Sequence, residues 1–118
     1  MLAVPTLAEM ARIKGWLLVT RNTLRDYLDT VVLLDRLGGD GVTAALSPFD
    51  AIYQQESGAS PLAELTERLA AAAPLDAAQI VLSSYRGLRS PWNDWRHVSA
   101  RGRGWAPAVA RVALEDQP

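Results

Sequence analysis

The stretch RIKGWLLVTRNTLRDYLD, residues 12–29, joins two helical patterns and decides the fold. The first pattern begins at Thr6, whose hydroxyl can form a capping box with the carboxylate of Glu9, and it predicts a helix to about Thr20. Residues 21–22, Arg-Asn, then interrupt the apolar spacing. This break predicts that the chain turns sharply there.

The second pattern begins with Thr23 and Asp26, which repeat the capping signature, and ends at Gly38 and Gly39. Its apolar residues recur at helical spacing: Leu24, Tyr27, Leu28, Val31, Val32 and Leu34. Two helices joined by so short a connection predict an antiparallel helical hairpin.

The rest of the chain shows further helical signals. We expect helical segments at 40–46, capped by Asp40, at 47–55, opened by Ser47, Pro48 and Asp50, and at 60–73. Asp76 with Gln79 could cap another short helix, and QIVLSSY (79–85) is interpreted as helix in preference to a strand. The last segment begins at Ser90 and Pro91, and its final helix covers 106–115. Gly102, Gly104 and Pro107 predict an interruption within the last segment. The sequence therefore predicts one all-α domain, residues 1–118, an irregular array of about five to six helices.

Composition excludes several classes of protein. Twelve basic against thirteen acidic residues leave a net charge of −1, which gives no general attraction to nucleic acid or anionic membranes. The absence of cysteine removes disulfides, thiol catalysis and cysteine-bound zinc. No signal-peptide pattern and no long apolar run is present, so we expect a soluble cytoplasmic protein.

Lys14 is the only lysine in the chain, and it follows Leu7, Met10 and Ala11 at helical spacing. A buried ammonium requires a carboxylate partner. The candidate partners on the second helix are Asp26, Asp29 and Asp35. This pattern permits a structural ion pair, a lysine that reaches the surface, or the remnant of an active site.

His97 is the only histidine, so catalytic triads and multi-histidine metal sites within one chain are excluded, and a packing or surface role is favoured. Arginines interleaved with tryptophan in the C-terminal third could bind nucleic acid, although a solvated helix face is the more frequent explanation. The arginines in question are Arg86, Arg89, Arg96, Arg101 and Arg103.

EMARIKGWLLVTRNTLRDYLDTVVLLDRLG (9–38) resembles the C-terminal helical region of the AbiEii/AbiGii-type nucleotidyltransferase toxins of toxin–antitoxin systems. LAELTERLAAAAPLD (62–76) and the later YRGL and WNDW extend this resemblance over nearly the whole chain. The resemblance implies that Lys14 and Arg25 contact a nucleotide and that Asp26 or Asp29 derives from an active site.

The same family has a catalytic core with a Gly-Ser motif and strand aspartates that hold magnesium, and no such motif is found here. We therefore expect no catalytic residue, no metal site and no cofactor in this chain alone, with Mg²⁺ and NTP bound only if a separate core chain pairs with it. The resemblance predicts a non-catalytic remnant or split half that associates with a protein partner or with itself. The alternative is a small nucleotide- or RNA-binding protein that uses the arginine-rich C-terminal third.

Overall fold

The computed structural model describes residues 4–77, 82 and 87–115, and within them all regular secondary structure is helical. The five helices are α1 Leu7–Arg21, α2 Leu24–Leu46, α3 Phe49–Ile52, α4 Pro61–Ala71 and α5 Trp95–Glu115. The predicted all-α class is confirmed. In the same residues, no helix combines the length and the apolar composition needed to cross a membrane.

The antiparallel hairpin of α1 and α2 is present as predicted. Thr6 and Glu9 form the capping box of α1, and the left-handed backbone of Asn22 (φ 49°) ends that helix. The side chain of Thr23 then accepts a hydrogen bond from the backbone N–H of Asp26 at the start of α2. Local capping chemistry thus fixes both sides of the turn.

Helix α2 changes direction at Gly38, where the predicted interruption lies. Gly38 has φ 73° and ψ 174°, a backbone conformation that strongly favours glycine. Helical geometry then resumes and continues to Leu46. The guanidinium of Arg12 donates a hydrogen bond to the carbonyl of Ala45 at 3.0 Å, so the second part of α2 packs beside α1.

The buried side of α1 differs from the predicted one. Its buried residues are Ala11, Gly15, Leu18 and Val19. Met10, which was expected on the buried stripe, is 36% exposed. Gly15 allows this close packing, since a Cβ there would lie 3.3 Å from the side chain of Leu65 on α4.

The interruption predicted within α5 is wrong. The helix passes through Gly102, Gly104 and Pro107 without a break. Its buried residues recur at helical spacing along the whole length: Val98, Ser99, Gly102, Ala106, Val109, Val112 and Ala113. Packing of this stripe against the core outweighs the backbone hydrogen bond that Pro107 removes.

Two side chains expected to start helices of their own instead bind neighbouring segments. Asp50 accepts hydrogen bonds from the hydroxyl of Ser60 and the backbone N–H of Leu62, both at 2.7 Å, and so fixes the start of α4, while α3 ends after one turn. Asp76 accepts from the backbone N–H of Leu24 at 2.8 Å and so caps α2. Gln79 and the segment 79–85, apart from residue 82, lie outside the described residues.

Candidate ligand-binding groove between helices α1 and α2

An open groove of about 380 Å³ runs between α1 and one side of α2. We call it the α1–α2 groove; its lining residues are Met10, Lys14, Arg25, Leu28, Asp29, Val32, Leu33, Arg36 and Leu88. The six α2 residues follow one another at intervals that place them on one side of a helix.

The floor of the groove is apolar. Leu28 and Leu33 are buried, with 1% and 5% of their surface exposed, and they belong to the core beneath the groove. Val32 and Leu88 are partly buried and pack against that core, while Met10 forms the α1 side. An apolar molecule in the groove would cover surface that now faces solvent.

The rim of the groove carries more positive than negative charge. The ammonium of Lys14 lies 3.2 Å from Asp29 Oδ2, and Arg25 Nε lies 3.2 Å from Asp29 Oδ1. Arg36 is exposed, and no carboxylate in the described part of the chain forms an ion pair with it. Among the described residues that line the groove, three cations stand against one carboxylate, which suits the rim to an anionic group.

Lys14 is therefore neither deeply buried nor free. Its side chain is 34% exposed, and it pairs with Asp29, one of the three predicted partners. Asp29 holds both Lys14 and Arg25 at the rim of the groove. Arg36 was not predicted as a site residue, although its spacing of four residues from Val32 was the available signal.

Asp26 does not join this cluster. Its side chain is 1% exposed and receives a two-pronged hydrogen bond from Arg21, at 2.9 and 2.7 Å, and another from the hydroxyl of Thr23 at 2.7 Å. All of these contacts lie at the turn between α1 and α2. Asp26 is thus a structural residue of the turn, and Asp26 and Asp29 do not form a pair of facing carboxylates.

Asp35, the third predicted partner of Lys14, instead links α2 to α5. Arg101 donates to both carboxylate oxygens of Asp35, at 2.8 to 3.2 Å, and the indole N–H of Trp105 donates to Oδ1 at 2.6 Å. Arg101 follows Asp35 by 66 positions in the sequence, and Trp105 follows it by 70. Local sequence patterns could therefore not predict these two contacts.

Stability should fall in acid because of Asp26 and Asp35. Burial alone raises the pKa of each carboxyl, but hydrogen bonds from Arg21 and Thr23 to Asp26, and from Arg101 and Trp105 to Asp35, leave both pKa values below the ordinary one. As the pH falls below about 4, these two carboxyl groups are protonated in the unfolded chain before they are protonated in the folded chain. Their contribution to stability is therefore lost as the pH passes through their pKa values in the folded chain. The free energy of unfolding, measured with urea across pH 2–7, should fall towards acid pH. The double variant Asp26→Asn/Asp35→Asn should show a weaker dependence on pH. The same dependence in the variant and the unmodified chain would contradict the role given to these two carboxylates.

The arginines of the predicted arginine-rich surface differ in their contacts. Arg101 is occupied by Asp35, while Arg89, Arg96 and Arg103 are exposed. Arg86 lies outside the described residues. His97 packs edge-on against Trp92, with ring centroids 5.0 Å apart. Within the described residues, no three His, Asp or Glu side chains gather as a metal site would require.

Comparison with known proteins gives a different relationship from the predicted one. The chain is 38% identical to the Heme uptake protein MmpL11 of Mycobacterium tuberculosis, and to the Probable transport protein MmpL11 of Mycobacterium bovis, over 118 aligned positions that cover 95% of the chain. It is 29% identical to the Mycolic acid-containing lipids exporter MmpL11 of Mycolicibacterium smegmatis, again over 95% of the chain. The chain spans only 11% to 12% of the length of these relatives. No family model matches the chain, and no solved structure matches it.

The predicted resemblance to nucleotidyltransferase toxins is therefore wrong, and so is the split transferase drawn from it. The alternative drawn from the arginine-rich C-terminal third, a nucleotide- or RNA-binding protein, is wrong as well, because the relatives are transport proteins by name. The pattern was misleading because its residues have structural roles. Glu9 completes a cap, Asp26 holds the turn and Tyr27 fills the core. Helix starts of this kind recur in unrelated proteins, so the spacing is not specific.

Proposed function

We propose that this chain is a helical module of a transport protein similar to MmpL11, and that its α1–α2 groove binds an acidic amphiphile, a molecule with an apolar body and a carboxylate. The observation that carries the proposal is an apolar groove with a positive rim in a chain that is similar to MmpL11 over 95% of its length. The earlier expectations of a cytoplasmic location, of no cofactor and of no activity by the chain alone stay predictions.

The names of the relatives support this class of ligand. One relative is named for heme uptake and another for the export of mycolic acid-containing lipids. Heme and mycolic acids share a large apolar surface with carboxylate groups. The groove, at about 380 Å³, lies at the small end of the range of about 300–1,000 Å³ for ligand sites, so it would hold one part of such a molecule.

Each part of the groove would contact a different part of the ligand. A hydrocarbon segment would cover Leu28 and Val32, which line the floor. The carboxylate would pair with Arg36, since this guanidinium lies at the rim and forms no ion pair in the described residues, and with Lys14, whose ammonium has further donors beside its bond to Asp29. Asp29 would position Lys14 and would also disfavour ligands with a large negative charge.

Binding is tested by calorimetric titration with palmitate and, separately, by absorbance titration with heme. Hexadecanol, which lacks the carboxylate, should bind more weakly than palmitate. Arg36→Ala should weaken palmitate binding by up to about fivefold, because one exposed ion pair contributes roughly 0.2–1 kcal/mol. Val32→Asp should abolish binding, because it places a carboxylate on the apolar floor.

Arg111→Ala is the matched control, since Arg111 is exposed on α5 and does not line the groove. It should leave the affinity unchanged. Binding of heme alone, or of palmitate alone, would identify the ligand within the class. Binding of neither, or equal binding by the Val32→Asp chain, would overturn the proposal.

A further inference from the structure

Helix α1 is apolar on two opposite sides. One side packs into the core through Ala11, Gly15, Leu18 and Val19. The opposite side carries Met10, which is 36% exposed, Ile13, which is 46% exposed, and the half-buried Leu17. A helix with two apolar sides commonly has a partner on each. We call Met10, Ile13 and Leu17 the outer seam.

The spacing of the outer seam is that of a coiled coil. Ile13 follows Met10 by three residues and Leu17 follows Ile13 by four, and the same alternation extends to Thr6 and Thr20. Alternating intervals of three and four place side chains along one line facing a second helix. The seam lies opposite the buried residues of α1, and Met10 at one end of it also lines the α1–α2 groove.

The charges beside the outer seam are complementary to those of a second α1. Glu9 and Lys14 stand on opposite sides of the seam, five residues apart. Within the chain, one oxygen of the Glu9 carboxylate accepts hydrogen bonds from Thr6, and Lys14, 34% exposed, pairs with Asp29. In a parallel pair of helices, such positions bring Glu9 of each copy next to Lys14 of the other, twice by symmetry. An antiparallel pair centred on Ile13 would instead bring the two Lys14 side chains together, which is unfavourable.

We propose that the outer seam pairs in parallel with the outer seam of a second copy of this chain. The interface has three apolar side chains from each copy, and it is small beside the roughly 800 Å² per partner of a stable complex. The dimer is therefore weak and forms as the protein concentration rises. Met10 and Lys14 belong both to this interface and to the α1–α2 groove, so a ligand in the groove would compete with the dimer, whereas the dimer itself requires no ligand.

Sedimentation across a concentration series tests whether the dimer forms. The unmodified chain should shift from monomer towards dimer as concentration increases. Ile13→Glu should abolish this shift, because it places two carboxylates in the middle of the interface. Ile52→Glu is the matched control, since Ile52 is 53% exposed on α3, away from the seam, and should leave the shift intact. A chain that stays monomeric throughout, or equal loss in both variants, would overturn the proposal.

Single-cysteine variants test the parallel direction, because the chain has no cysteine of its own. Under mild oxidation, Met10→Cys, Ile13→Cys and Leu17→Cys should each form a disulfide-linked dimer faster than Ala100→Cys, an exposed position on α5. Cross-linking at position 13 alone would show the antiparallel arrangement and overturn the proposed one. Rates no greater than that of the control would exclude the seam altogether.

Discussion

Gly102→Ala should lower the free energy of unfolding by about 2–3 kcal/mol, the upper part of the range of about 1–3 kcal/mol for a side chain forced into a filled core. A Cβ at residue 102 would lie closer than 3 Å to three atoms of Tyr27: Oη, Cζ and Cε1. That ring cannot easily move, because it is fully buried and its hydroxyl donates a hydrogen bond to the carbonyl of Leu69 at 2.8 Å. Urea unfolding followed by tryptophan fluorescence measures the effect.

The matched control is Gly104→Ala, two residues further along α5. Gly104 is exposed, and no atom lies within 4 Å of the position of its missing Cβ. This change should stabilise the chain by roughly 0.5–1 kcal/mol, because alanine loses less backbone entropy in a helix than glycine does. Changes of opposite sign in the free energy of unfolding at the two positions would separate the effect of packing from that of helix propensity. Equal effects would contradict the close contact between Gly102 and Tyr27.

Asp26→Ala should lower the free energy of unfolding by about 2 kcal/mol, since hydrogen bonds to a charged group contribute roughly 1.5–3 kcal/mol. The variant loses the paired bonds from Arg21 and the bond from the hydroxyl of Thr23. The effect stays near the lower end of that range because Arg21 is half exposed and can be solvated by water instead. Thermal unfolding at neutral pH measures it.

Asp29→Ala provides the comparison within the same helix. Its ion pairs with Lys14 and Arg25 are partly exposed, so the expected cost is below about 1 kcal/mol. If Asp29→Ala proved as damaging as Asp26→Ala, the division between a structural carboxylate at the turn and a rim carboxylate at the α1–α2 groove would be wrong.

The helical hairpin was predictable because its signals are local. Thr6 and Glu9 lie three residues apart, as do Thr23 and Asp26, and their backbone contacts form within one turn of helix. The break at Gly38 was predictable for a similar reason, since a single residue with positive φ interrupts a helix whatever surrounds it.

The course of α5 was not predictable from the same kind of signal. Glycine and proline weaken an isolated helix, but Gly102 serves the packing of Tyr27, which lies 75 positions earlier in the sequence. Pairing of Asp35 with Arg101 and Trp105 is likewise a tertiary contact. Long-range contacts of this kind decide helix continuity and ion pairing, and one sequence does not display them.

The site could be predicted only in part. Lys14 and Asp29 were among the predicted residues and do meet at the rim of the groove. Asp26 was expected beside them and instead belongs to the turn, because the hydroxyl of Thr23 and the guanidinium of Arg21 are closer to it. The nucleotide-binding interpretation failed because it treated capping and core residues as remnants of chemistry.

The contacts of Tyr27 also bear on the timing of folding during protein synthesis. Its ring is held between the backbone of α4, at Leu69, and that of α5, at Gly102. While the ribosome is still making α4, the hairpin of α1 and α2 has no α5 to cover this ring, and an apolar surface stays open to water. The native core can therefore close only after α5 has emerged.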